Sequence, residues 1–356
     1  MKTVDILRFN PESALLFRDT RDFGFSENAR TVFPTSEPFY GAVRTAFLRK
    51  SKTNLRDSAA IAKHKSQIGD RDDPGAFRFV GPFPFLKKDG RARYFLPTPS
   101  HLTQWEGGEF GFLRPNPGLA FTYNGISLQT LWDRKTEQGS RAAEAYPWID
   151  WDGMSKIKEG RTPDKAHLAK DDAFFEVEHR TGIGLRSDRK NAQEEMIFRV
   201  RSFRFRDEAG LYLFVLKGSD LLEGIDTVLL GGKSGVATTE LEKNVSVSLF
   251  DKVGDSEKIA VLVTPTIFRN GFLPANSGNT FFGASVEAVC NGKPYPVGGW
   301  DLVVRKPKPL MHAVPFGSAF FIKGSLDTEK ITEIRSEFGY GSYIECKRNK
   351  EDNHGK

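Results

Sequence analysis

The sequence predicts an α+β fold made of two tandem β-α-β-β-α-β units, with a long insertion in the first. The main observation is an internal repeat. LYLFVLKGS at 211–219, a short helical piece near Leu221–Ile225 and LLGGKSGVA at 229–237 recur in order as SAFFIKGS at 318–325, a helix over about 328–338 and FGYGSYIE at 338–345. Both copies read strand, Lys-Gly-Ser, helix, glycine-rich turn, strand, and an ordered series recurs by accident far less readily than a single motif. Each copy also has its own upstream alternating run, Val4–Phe9 and Lys258–Thr264. A length of 356 residues fits two such units around separate cores. The expected division is 1–250, with an insertion at about 51–175, then 256–346 and a polar tail at 347–356.

Taken in order, Val4–Phe9 is the first strand and Asn10-Pro11 ends it. Phe39–Lys50 reads as a helix behind Pro38, with Val43, Phe47 and Leu48 on its apolar stripe beside Ala42 and Ala46. The stretch 51–175 is broken by Pro82-Phe83-Pro84, Pro97-Thr98-Pro99 and Pro115-Asn116-Pro117, and reads as loops and short strands. Over 196–206, Phe198 and Val200 alternate on even positions, then Phe203 and Phe205 on odd ones. That phase change at Ser202 suggests a bulge or bend, with Arg199, Arg201, Arg204 and Arg206 on the other face. A hairpin between Arg199–Arg206 and Leu211–Leu216, turning at 207–210, is the expected pairing.

Composition narrows the function classes. Apolar residues are 38% and charged residues 28%, as in a globular chain rather than a disordered one. The two cysteines, Cys290 and Cys346, cannot build a thiolate cluster or a disulfide scaffold and suit a reducing cytoplasm. No membrane span and no signal-peptide core are visible. The net charge is +6, yet the window Tyr40–Lys65 alone holds seven basic residues against Asp57, also a net +6. Smaller clusters are Arg186, Arg189 and Lys190, and Arg305, Lys306 and Lys308 with His312. Concentrated positive charge of this kind points to a polyanion, or to an acidic neighbouring subunit.

The motifs favour binding over chemistry. Gly231-Gly232-Lys233-Ser234 lacks the first glycine of a phosphate-binding P-loop, because Thr227 occupies that place. Its glycines, and those of Gly339-Tyr340-Gly341, instead allow a tight turn whose N–H groups can approach phosphate. The six histidines form no HxH, HxxxH or HExxH pattern, so no metal site or other cofactor is expected, and no Gly-x-Ser-x-Gly elbow exists. His179, in Glu178-His179-Arg180-Thr181-Gly182-Ile183-Gly184, reads as a polar binding loop. With His64, it is the candidate base of a metal-independent ribonuclease.

LRFNPESALLFRDTRDFG near the start, FPTSEPFYGAVRTAFL at 33–48, EVEHRTGIGL at 176–185, LLGGKSG at 229–235, KPLMHAVPFGSAFFIKG at 308–324 and FGYGS at 338–342 together resemble one family. It is the third subunit of the Cmr-type effector, the type III-B RNA-guided CRISPR interference complex, in the repeat-associated RNA-binding superfamily. The resemblance runs from residue 3 to about 346 and carries nothing for 51–175. It implies two ferredoxin-like domains and a non-catalytic subunit. That subunit caps the 5′ tag of the guide RNA, contacts the large polymerase-like subunit and abuts the adjacent guide-lining backbone subunit. The RNA-binding residues then expected are Phe39, Tyr40, Arg44, Arg49, His179, Arg180, Gly231, Gly232, Lys233, Lys308, His312, Gly339 and Gly341. Arg44 and Lys233 neutralise phosphates, while Phe39, Tyr40 and His179 stack on or hydrogen-bond to bases. Two alternatives stay open: an endoribonuclease acting on CRISPR precursor RNA, and a structural subunit without RNA contact.

Overall fold

The computed structural model describes residues 2–18, 28–29, 31–105, 108–132, 141–142, 146–185, 192–274, 281–301 and 306–349. Arg186, Arg189, Lys190, Arg305 and most of the polar tail lie outside them. The chain is α+β and rich in strands. Its largest sheet is antiparallel, in the order Leu168–Ala169, Trp148–Asp150, Arg91–Pro97, Arg78–Lys88, Ala209–Lys217, Lys2–Pro11, Val236–Val247, Thr227–Leu229. The second half holds a four-stranded antiparallel sheet in the order Ser285–Cys290, Ala319–Lys323, Glu257–Leu262, Tyr343–Lys347.

Each upstream run pairs with the strand of its own repeat copy. Lys2–Pro11 lies between Ala209–Lys217 and Val236–Val247, and Glu257–Leu262 between Ala319–Lys323 and Tyr343–Lys347. Both faces of each central strand are buried, Ile6 and Leu7 in different clusters and Ile259 and Ala260 likewise, so a slip by one residue would exchange side chains of different size between two packed faces. The helix Glu37–Lys50 buries Phe39, Tyr40, Ala42, Val43 and Leu48, with Pro38 inside its first turn rather than ahead of it. Phe39 meets Phe9 edge-on at 5.0 Å, and Tyr40 lies 4.1 Å from Phe79.

Several expectations change. The stretch 51–175 is no appendage, since it supplies the inner strand Arg78–Lys88 and the helix Trp151–Lys158, capped by Asp150 through the Gly153 N–H at 2.7 Å. Ala192–Phe205 pairs with Phe175–Leu185, not with Ala209–Lys217, and its register passes Ser202 without a shift. The phase change is therefore not a bulge. Arg199 and Arg201 share one face with Phe203 and Phe205, and Arg204 and Arg206 lie on the opposite face.

The helix expected over 328–338 is reduced to one 3-10 turn, Ser336–Phe338. Its backbone bonds at long range instead: the Ile331 N–H to the Gly341 carbonyl at 2.8 Å, and the Glu333 N–H to the Ile267 carbonyl at 3.1 Å. Nor are the two cores separate. One cluster joins Phe9, Phe39 and Phe79 to Ile267, Phe338 and Tyr340, and another joins Ile6, Phe83 and Phe214 to Val261, Phe321 and Ile344. Lys158 ties the crossing between the halves by donating to the Ser248 and Leu249 carbonyls, both at 3.0 Å.

Candidate nucleic-acid interface

Three stretches far apart in sequence are laced into one surface by the segment after the first strand. The Glu12 N–H donates to the Val236 carbonyl at 2.9 Å, and the Val236 N–H to the Ser13 hydroxyl at 3.0 Å. Leu15 and Phe203 exchange both backbone bonds at 2.8 Å, and the Gly232 N–H donates to the Leu16 carbonyl at 2.7 Å. The glycine turn is thereby fixed beside an arm formed by Phe175–Leu185 and Ala192–Phe205, with Asn28–Ala29 pairing in parallel on the outer side of Arg199 and Val200.

The turn needs its glycines. At Gly231, φ is +76° and a Cβ would stand 2.7 Å from the Leu16 carbonyl oxygen. A Cβ on Gly235 would stand 2.6 Å from the Leu230 carbonyl oxygen. Between them Lys233 and Ser234 both take left-handed backbone, at φ +56° and +54°. For L-residues that conformation costs roughly 1–2 kcal/mol each. Gly231, Gly232, Lys233 and Ser234 are all exposed.

On the arm, His179 stands opposite Arg201 and Thr181 opposite Arg199, so the four side chains share a face. All four are exposed. Among the described residues neither Arg199 nor Arg201 has an ion pair. The other face is neutralised: Glu178 bridges Arg180 and, at 2.5 Å, Arg204, and Arg206 pairs with Glu176 at 3.1 Å. The hydrogen bond from Arg180, followed by that from Arg204, holds the Glu178 carboxyl below the usual carboxylate range. One face of the arm is thus charge-balanced, and among the described residues the other carries Arg199 and Arg201 with no ion-pair partner.

The expected site residues divide into two groups. His179, Gly231, Gly232 and Lys233 lie on or beside this surface, with His179 in mid-strand rather than in a loop, whereas Arg180 lies on the neutralised face of the arm, paired with Glu178. Phe39 and Tyr40 are 0% and 4% exposed, so their rings are core and cannot stack on bases. Gly339 and Gly341 are buried at the junction of the halves, where a Cβ on Gly339 would stand 2.6 Å from the Phe79 carbonyl oxygen. Lys308 pairs with Glu37 at 3.5 Å, next to Arg335 on the same carboxylate. Arg44 is spent on the fold, donating to the Ile68 carbonyl at 2.8 Å and the Asp70 carbonyl at 2.7 Å, and burial lowers its pKa. Arg49 and His312 are exposed, on the first helix and on the strand Met311–Ala313. Sequence reading missed Arg199 and Arg201 as partners of His179. The signal was their odd spacing in register with Phe203, concealed by the expected bulge.

The family model for CRISPR-associated protein (Cas_Cmr3) matches residues 7–347. The chain belongs to that family. It is a CRISPR effector subunit of the Cmr type. No curated protein matches it. Among solved structures, the type III-B Cmr-beta complex bound to cognate target RNA has a similar chain at 15% identity, covering 89% of this chain and 86% of that one, with a TM-score of 0.49. A chain of the Csm3-Csm4 subcomplex of the type III-A CRISPR-Cas interference complex is similar at 11% identity, covering 96% and 98%, with a TM-score of 0.44. No helix among the described residues is long and apolar enough to cross a membrane.

Proposed function

We propose that this chain is a non-catalytic, RNA-binding subunit of a type III-B effector. It holds the 5′ tag of the guide RNA, contacts the large polymerase-like subunit and abuts the adjacent backbone subunit. The observation that carries the RNA reading is the exposed face of His179, Thr181, Arg199 and Arg201, bonded through Leu15 and Leu16 to the exposed glycine turn. Guanidinium groups with no ion pair among the described residues can grip phosphates bidentately, and the turn lets RNA backbone approach closely. The halves read as ferredoxin-like by strand order, which in each is second, third, first, fourth; the second helix is a 3-10 turn at Ser219–Leu222 or Ser336–Phe338, and among the described residues only the first half has the first helix, Glu37–Lys50.

The ribonuclease reading has less support. Both ring nitrogens of His64 are engaged, with Thr53 and Gln67 at 3.1 Å, and among the described residues His179 has no carboxylate to orient it. The test is affinity for a tag-containing guide and a tagless control across a salt series. Arg199→Ala/Arg201→Ala is expected to weaken tag binding about ten-fold and to lower the salt slope by about two. Wild-type affinity and slope in that variant remove the arm from the site. Cleavage of labelled repeat RNA in EDTA, lost in His179→Ala, establishes the ribonuclease instead.

A further inference from the structure

A narrow cleft separates the C-terminal part of the helix Glu37–Lys50 from the chain 224–229. Thr45, Ala46, Arg49 and Lys50 form one wall and residues 224–229 the other, around a volume of about 120 Å³. That is well below the roughly 300–1,000 Å³ of a pocket for a drug-sized ligand, and it suits one flat ring system.

The second wall is a sheet edge with backbone groups to spare. The Thr239 N–H donates to the Asp226 carbonyl at 2.9 Å, and the Leu230 N–H to the Gly235 carbonyl at 2.7 Å. Bonded positions alternate along an antiparallel ladder, so 226, 228 and 230 turn their polar groups inward, while Thr227 and Leu229 turn theirs outward. Thr227–Leu229 is the last strand of the sheet, and no strand takes those groups. Each outward residue offers one donor and one acceptor, which complements the mixed donor and acceptor edge of a base.

The mouth of the cleft is cationic. Arg49 is exposed and has no ion pair among the described residues, and Lys50 is held at the rim by donating to the Glu223 carbonyl. Asp226 also lines the cleft. Its carboxylate disfavours a phosphate deep inside and accepts hydrogen bonds from an amino group of a base.

We propose that this cleft seats a single nucleobase turned out of the bound RNA. The Thr227 and Leu229 backbone lies on the base edge, and the Arg49 guanidinium lies on the adjoining phosphate. The proposal rests on the RNA-binding reading above. Continuity supports it, because Thr227–Leu229 runs straight into the glycine turn.

The test is an abasic scan. Single-stranded RNAs of the repeat-derived 5′ segment of the native guide, each lacking one base at a successive position, are titrated by fluorescence anisotropy. One position is expected to lose affinity about ten-fold in the wild type, the scale of losing one held base. Ala46→Trp, which fills the cleft, is expected to weaken intact RNA by a similar factor and to flatten the scan. Arg49→Glu, a surface change that leaves the core intact, is expected to weaken intact RNA and to shrink the same dip. A flat wild-type scan, with tight binding that still depends on Arg199 and Arg201, overturns the cleft and leaves the RNA reading standing. Failure of every RNA to bind overturns both.

Discussion

Gly231–Gly235 lies at the surface with its first four residues exposed, whereas Gly339–Ser342 is buried between the halves. The sequences look like two copies of one device. In the first, Gly231 is needed where the backbone of Leu16 passes, and the turn presents its outer side to solvent. In the second, Gly339 and Gly341 let the turn press against the Phe79 carbonyl and the Ile331 carbonyl, each 2.6 Å from where a Cβ would stand. Thr264 and Ser342 complete that joint, with the Ser342 N–H donating to the Thr264 hydroxyl at 2.9 Å and that hydroxyl to the Gly339 carbonyl at 2.8 Å. Two glycine-rich turns of similar sequence thus sit in different surroundings, and the surroundings decide whether the turn serves a ligand or the fold.

The largest expected effect breaks the second turn. Gly341→Val adds a β-branched side chain at φ +72° against the Ile331 backbone. Left-handed strain and overpacking together cost about 3 kcal/mol or more. Gly232→Ala in the first turn meets the flexible Leu16 side chain first, with 3.2 Å to its Cδ2 and 3.6 Å to the Leu16 carbonyl oxygen, and is expected to cost less than about 1 kcal/mol. Urea unfolding followed by circular dichroism reads both. Equal midpoints for the two variants would show that burial does not distinguish the turns.

That contrast also marks what the sequence could carry. The strand, glycine turn and strand order was legible because it depends on local patterns, alternation and glycine placement. Arg78–Lys88 was not, since Pro82 and Pro84 argue against a central strand, and here the strand turns through a cis Gly81-Pro82 peptide. The segment 328–338 was misread for the opposite reason. Ile331, Ile334 and Phe338 have helical spacing, but Thr332 spends its hydroxyl on the Ile267 carbonyl at 3.2 Å, and the chain follows tertiary bonds. At the site, residue type alone could not separate a stacking aromatic from a core one. Tyr40 and His179 both read as base contacts, and only packing puts Tyr40 on Phe79 and leaves His179 in solvent.

Arg44 sharpens the comparison at intermediate size. The helix lies beside the first glycine turn's hairpin, and an arginine there reads as a phosphate contact. Its guanidinium instead grips two carbonyls of the 68–70 loop. Arg44→Ala is expected to lower stability by about 2 kcal/mol, the range for hydrogen bonds to a charged donor, and to leave RNA affinity unchanged. Arg44→Lys recovers only part, because one ammonium cannot reproduce the fork. A ten-fold loss of tag RNA binding at unchanged melting temperature would return Arg44 to the interface.

The smallest effect concerns the strain that the first turn keeps and the second largely assigns to glycine. Lys233 and Ser234 are successive non-glycine residues at positive φ, while Gly339 and Gly341 occupy the positive-φ places of the second turn. Ser234→Gly removes a penalty of roughly 1–2 kcal/mol. It also raises the entropy lost on folding, which offsets about 0.5–1 kcal/mol. The net expectation is a stabilisation of about 0.5 kcal/mol, visible as a slightly higher urea midpoint. RNA affinity separates two uses of the strain. If the turn meets RNA through its backbone, Ser234→Gly binds as the wild type does, because the same conformation is kept at lower cost. A variant that is more stable yet binds tag RNA several-fold more weakly shows that the serine side chain, or the rigidity it imposes, is what the RNA contacts. A variant that is less stable than the wild type means that the left-handed pair is not strained, and the difference between the two turns then rests on burial alone.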